Sequence, residues 1–179
     1  MIFFLGILLL VVLFLLLVLL AGFFFYAIDA LLDLPYVATK RNKIETIIKL
    51  AKIKKGETVV DLGSGDGRLL IAAALSGAHA IGYEINPYLV LFTKLKSQLT
   101  PAQVRGLIST KRTNLWKADL KIADVIFVYG RTKSMQKFED FIFKNARPGT
   151  KVVVNTDKTT PFPTKRPEKS INGIFLYKT

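Results

Sequence analysis

The chain of 179 residues is long enough to bury one sizeable core, and its lack of cysteine excludes a disulfide framework and a thiolate zinc site. Charge is unevenly placed: all 26 Lys and Arg lie after position 39, together with 11 of the 13 acidic residues, so that part of the chain carries +15. Such a balance points to anionic partners, either nucleic acid or an acidic lipid surface, and an adjoining apolar run favours the lipid surface.

From Ile2 to Ile28 there is no charged residue. At about 1.5 Å per residue a helix here exceeds the roughly 20 residues that cross about 30 Å of hydrocarbon. The reading is one transmembrane helix in contact with the bilayer, with Phe23, Phe24, Phe25 and Tyr26 near an interface. A cleaved signal peptide would need a basic n-region and a shorter apolar core. Lys40, Arg41, Lys43, Lys49, Lys52, Lys54 and Lys55 follow the run and none precedes it. The positive-inside rule therefore predicts a single-pass protein, N-terminus out, with the rest on the cytoplasmic side, or in the matrix if the membrane is the mitochondrial inner one. No Arg- and Ser-rich presequence is seen, which favours a prokaryotic plasma membrane.

Leu34-Pro35-Tyr36 breaks the helical pattern. Ile44, Ile47, Ile48 and Ala51 recur at helical spacing and predict an amphipathic helix ending at Gly56. Apolar runs predict strands at Thr58–Leu62, Ala80–Tyr83, Val125–Tyr129, Val152–Val154 and Ile174–Tyr177, with helices at Arg68–Leu75, Tyr88–Gln98 and Met135–Lys144. This alternation implies an α/β domain with a parallel sheet covered on both faces. Lys158–Lys169, rich in Pro, Thr and Lys, reads as a punctuated segment whose Lys165, Arg166 and Lys169 form a flexible basic loop, and no helix is evident between Val154 and Ile174. The C-terminal edge of the sheet is therefore expected to be short. The divisions are 1–33, an anchor; 34–56, a Pro-aromatic joint and amphipathic helix; and 57–179, the domain.

The first strand runs into DLGSGDGR, Asp61 to Arg68. Ligands of doubly wound sheets bind beyond the carboxyl ends of the strands, and Gly63, Gly65 and Gly67 let the backbone approach one closely. A dinucleotide fingerprint would place its third glycine one residue later, and a Walker loop would end in Gly-Lys-Ser/Thr. Asp61 and Asp66 would repel a pyrophosphate but suit a ligand carrying an ammonium or sulfonium. Glu84 ends the second strand 21 residues beyond Gly63, the spacing at which a carboxylate accepts hydrogen bonds from both ribose hydroxyls of a nucleoside. No histidine, cysteine or carboxylate grouping has metal-ligand spacing, and the lone His79 reads as structural. Trp116 either packs beside a ligand loop or fills the core.

This pattern resembles the first motif and acidic loop of class I S-adenosylmethionine-dependent methyltransferases, which have a Rossmann-like doubly wound sheet. With PYVAT (Pro35 to Thr39), GYEINPYLV (Gly82 to Val90) and NLWKADL (Asn114 to Leu120) in order, the chain is similar to the membrane-anchored protein lysine methyltransferases, the family acting on the ATP synthase c-ring protein and the adenine nucleotide translocase. The resemblance implies S-adenosylmethionine as cofactor. Its methionine part would be held by Asp61 and the backbone of Gly63, Ser64, Gly65, Asp66 and Gly67, its ribose by Glu84, and its adenine would be bordered by Asn114 and Leu115. Position 114 is more often Asp in the family. Pro35–Thr39 would fold over the cofactor. Tyr129, at the end of the fourth strand, and Tyr36 are the candidates for lining a substrate channel, and no general base is assured.

The function expected is methylation of a lysine on a membrane or membrane-associated protein. The alternatives are an RNA methyltransferase, a lipid or quinone methyltransferase, and a non-catalytic cofactor-binding protein tethered to the membrane. YGRT, in place of an N-P-P-Y-type segment after the fourth strand, disfavours nucleic acid.

Overall fold

The computed structural model describes residues 2–31, 38–130, 132–156 and 161–179. It divides into two units, 1–36 and 37–179. The described residues of the first form one helix, α1 (Ile2–Leu31), whose stretch Phe3–Phe24 is long and apolar enough to cross a membrane and exposes Phe, Leu and Val side chains on every side.

The second unit is a seven-stranded sheet with helices. In chain order it runs α2 (Arg41–Ala51), β1 (Thr58–Leu62), α3 (Arg68–Leu75), β2 (His79–Glu84), α4 (Pro87–Gln98), α5 (Ala102–Arg105), β3 (Ile108–Arg112), β4 (Val125–Tyr129), α6 (Met135–Asn145), β5 (Lys151–Asn155), β6 (Lys169–Ile171) and β7 (Ile174–Lys178). The spatial order is β3-β2-β1-β4-β5-β7-β6. The first five strands across the sheet are parallel, and β7 and β6 complete it antiparallel. Val59, Val60 and Leu62 of β1, Val125 to Val128 of β4 and Val152 to Val154 of β5 are all buried, as in parallel strands covered on both faces, and the polar residues Asp61, Lys151 and Asn155 interrupt the apolar runs near their ends. On one face Val59, Val125, Phe127 and Val153 pack under Ile47 and Leu50 of α2 and Leu70 and Ala73 of α3.

Local chemistry explains the helix ends. Asn86 caps α4, its Oδ1 accepting the Tyr88 N–H at 3.0 Å, with Pro87 in the first turn. α2 ends at Ala51 rather than at Gly56, and Lys52 takes a left-handed conformation at φ 44°. The Lys151 ammonium at the start of β5 stops the helix there by donating to the carbonyls of Ala51 (2.8 Å) and Lys52 (3.1 Å) while pairing with Glu57. At the other end of α2, Lys43 Nζ donates to Asn155 Oδ1 at the close of β5, 3.0 Å away. The helix is thus pinned at both ends along one strand.

The described part of the punctuated segment, 161–169, is tied to the domain, and Lys169 opens β6 instead of lying in a basic loop. Phe162 is buried against Phe143 and Tyr177, and Thr164 donates through both its N–H and its hydroxyl to the buried Glu139 carboxylate of α6. The segment packs because Glu139 needs donors and Phe162 fills space beside Tyr177. No helix lies between β5 and β6 among the described residues. β6 and β7 form a hairpin whose turn, Asn172-Gly173, has φ of 51° and 73°, the double positive φ of a tight two-residue loop.

Candidate functional site

The sequence DLGSGDGR makes the turn from β1 to α3. Gly63, Gly65 and Gly67 all have positive φ (83°, 54° and 74°), so the chain reverses without a Cβ penalty. Gly67 is doubly required, since a methyl group there would meet Thr93 Cγ2 at 2.3 Å. The Thr93 hydroxyl in turn donates to the Gly65 carbonyl at 3.1 Å, binding α4 to the turn.

Alternation along the strands puts Asp61, Glu84, Tyr129 and Asn155 at the carboxyl ends of β1, β2, β4 and β5 on the face that α2 and α3 cover. Tyr129 and Asn155 are register partners. The buried Glu84 carboxylate accepts the Gly65 N–H at 2.9 Å and the Asn86 N–H at 2.8 Å, one on each oxygen, which aims it before any ligand arrives. Burial pushes the Asp61 carboxyl up to about 7, and the negative charges of Glu84 and Asp66 add to the effect. A cation placed beside Asp61 would relieve that strain, so the arrangement suits a positively charged ligand.

Asp66 is differently employed. Burial alone would raise its carboxyl, but hydrogen bonds and charge from Arg68 and Lys96 outweigh it and hold the group at about 2. Arg68 Nη2 and Lys96 Nζ lie 2.7 and 2.8 Å from it. Arg68 Nη1 also donates to the Thr39 carbonyl at 2.7 Å, fastening the chain just before α2 to the glycine turn. Ser64 faces β2, where a methyl on Gly82 would lie 2.5 Å from its Oγ. Leu115 borders the turn, its Cδ2 3.7 Å from where a Cβ on Gly63 would stand. Asn114 is exposed, and its Oδ1 accepts the Trp116 N–H, capping a short 3-10 turn at Leu115–Lys117. Trp116 packs on Phe138 and Phe141 of α6, the packing alternative for that residue. Tyr36, with Pro35 and Val37, lies outside the described residues.

The residues therefore bring together Asp61, the three glycines, Glu84 and Leu115, and use Ser64 and Asp66 to build the turn. The fit to a nucleoside-bearing cation rests on the pre-aimed Glu84 and on two buried atoms without a partner among the described residues, Ser64 Oγ and Asn86 Nδ2, both in this cluster. Sequence reasoning gave Thr39 only as the end of the stretch folding over the cofactor, and missed Arg68, Asn86, Lys43 and Asn155. Only Asn86, before Pro87, carries a local signal, that of a helix cap. Among the described residues no grouping of His, Asp and Glu could hold a metal ion.

Comparison with known proteins agrees with this geometry. The model of the ANTKMT methyltransferase domain matches residues 61–167. A protein-lysine N-methyltransferase of Saccharolobus islandicus (strain REY15A) is 30% identical over 122 residues, covering 67% of this chain and 74% of the relative. The adenine nucleotide translocase lysine N-methyltransferase of Mus musculus is 33% identical over 137 residues, 76% of this chain, which spans 57% of that relative's length. Among solved structures, an RNA methyltransferase from Salinibacter ruber in complex with S-adenosyl-L-homocysteine superposes with a TM-score of 0.69 at 30% identity, covering 79% of this chain and 92% of that one. With the glycine turn and the acidic strand end both inside the matched region, the chain belongs to the ANTKMT methyltransferase domain family.

Proposed function

We propose that the chain is an S-adenosylmethionine-dependent methyltransferase that modifies a lysine side chain of a membrane or membrane-associated protein. The observation that carries the reading is the Glu84 carboxylate, held by the Gly65 and Asn86 amides beside a triple-glycine turn. In this assignment Glu84 holds the ribose hydroxyls, Asp61 faces the cationic methionine end, the Gly63–Gly67 backbone cradles it, and Asn114 and Leu115 border the adenine. Tyr129 lines the acceptor side.

The cofactor, when bound, supplies a methyl group already activated on a sulfonium, so the chain's own residues have mainly to orient the acceptor and exclude water. A lysine with a reference pKa of about 10.4 is neutral about one time in a thousand near pH 7.4, a handicap of roughly 4 kcal/mol. An apolar approach and nearby positive charge reduce it. Lys43, fixed on Asn155 beside Tyr129, is a cation of that kind at the acceptor edge.

α1 supplies the membrane location. We assign residues 2–28 to a single span, with the basic domain on the cytoplasmic or matrix side by the distribution of Lys and Arg. The name of the Mus musculus relative, a translocase-modifying enzyme, supports a membrane-protein substrate. The Salinibacter ruber structure, described as an RNA methyltransferase, and the charge of +15 support RNA as the second reading. Transfer of radiolabelled methyl into membranes and RNA lacking this protein tests both. Label in methyl-lysine, lost with Glu84→Ala, is the expected result; label in RNA selects the second reading, and label in lipid overturns both.

A further inference from the structure

α4 has two apolar faces. Leu89, Val90 and Thr93 are buried on its inner side, as expected of a helix lying on a sheet. On the outer side, where a helix of this kind is normally polar, Tyr88, Leu91, Phe92, Leu95 and Leu99 recur at i, i+3, i+4, i+7 and i+11. They are exposed by 39, 55, 49, 58 and 88%. Contiguous apolar surface of this sort marks an interaction site.

The charges around the stripe specify the partner. No Asp or Glu occurs between Ile85 and Ala118, whereas Lys94, Lys96, Arg105, Lys111, Arg112 and Lys117 all do. Lys96, whose ammonium also pairs with Asp66, reaches over the Phe92 ring at 5.1 Å, and Lys94 and Arg105, the latter donating to Gln98 at the end of α4, add positive charge beside the stripe. A second copy of this chain would bring like charges face to face, which opposes self-association. Aromatic and Leu side chains on one face flanked by Lys and Arg are the composition of a helix lying in the interface of an anionic bilayer.

We propose that the outer face of α4 is a second membrane contact, an in-plane helix that seats the domain on an anionic lipid surface. The proposal rests on α1 being the span that delivers the domain to a bilayer. α4 begins at the carboxyl edge of β2 and is joined to the glycine turn by the Thr93–Gly65 hydrogen bond and the Lys96–Asp66 pair. Seating it therefore sets the ligand-binding edge close to the lipid.

The absence of native cysteine makes the test direct. The full chain is reconstituted into vesicles of phosphatidylcholine and phosphatidylglycerol, with a polarity-sensitive nitrobenzoxadiazole label on a single substitution: Leu95→Cys in α4, Leu13→Cys in α1 or Asp140→Cys in α6. Doxyl-bearing lipids serve as membrane quenchers and iodide as the aqueous one. The expected result is a blue-shifted label at positions 13 and 95 that loses most of its emission to the doxyl lipids, with position 140 quenched only by iodide. Lipid quenching at position 13 but not at 95 overturns the proposal and leaves the span intact. A label at 95 that is blue-shifted yet untouched by doxyl lipid means that protein covers the stripe, which also overturns it. Lipid quenching at neither 13 nor 95 overturns the proposal together with the span on which it rests.

Discussion

Asp61 is a carboxylate shut away from water beside two others, and its burial decides how the site responds to pH. Its folded value of about 7 lies above the ordinary 3.8, so the folded state binds the proton more tightly than the unfolded one. The contribution of Asp61 to the stability of the ligand-free protein is then fully present below pH 4, where Asp66, held at about 2, begins to act in the opposite sense. The Asp61 contribution falls by up to about 1.4 kcal/mol per unit as pH rises towards 7, and is level above that. Asp61→Asn removes this slope in a urea titration repeated across pH. A cationic ligand draws the proton off, so calorimetry of S-adenosylmethionine binding in buffers of different protonation enthalpy reads proton release at pH 6.5 that fades by pH 8.5. Release that is equal at both values refutes the assignment of Asp61 to the cationic end. Glu84 acts through hydrogen bonds in which the acceptor is charged, each worth about 1.5–3 kcal/mol. Glu84→Ala therefore weakens cofactor binding by about 100-fold or more, and a thermal melt on the same sample separates lost contacts from a loosened turn.

The turn from β1 to α3 depends on its glycines as a unit. Gly67→Ala puts a side chain at a φ of 74° and against Thr93, at a cost of about 2 kcal/mol or more. Combining it with Thr93→Ala removes the atoms in closest collision and restores part of the melting temperature, but not the backbone penalty; no recovery in the double variant would show that the collision is not the cause. The turn was legible in sequence because glycine spacing is a local signal and the strands before and after it are apolar runs. β3 and β6 were not, because ISTKR and KSI are short, polar and exposed at the two edges of the sheet. α5 is a single turn, too brief for periodicity. Glu84 was found by its distance along the chain from Gly63, whereas Lys43 and Asn155 meet across 112 positions and Arg68 reaches Thr39 across 29. Long-range pairs of common surface residues leave no pattern to read.

At the scale of the whole chain, all seven strands and their core lie within 37–179, so folding and ligand binding should not need α1. A chain starting at Val37 is expected to keep the melting temperature of the domain and its affinity for cofactor, while methylating a membrane-embedded substrate about 100-fold less efficiently through loss of effective concentration. Full activity on such a substrate without α1 would show that tethering contributes nothing. The pinning of α2 has a mechanical consequence. A force applied through the chain at Ala38 meets the Thr39–Arg68 bond first and then Lys43 on Asn155, both at the carboxyl edge, before it reaches the apolar face of the helix. Arg68 passes its share to Asp66 and the glycine turn. Tension arriving through Ala38 would therefore be felt first as strain at the glycine turn and at the close of β5, where the ligand-binding edge lies.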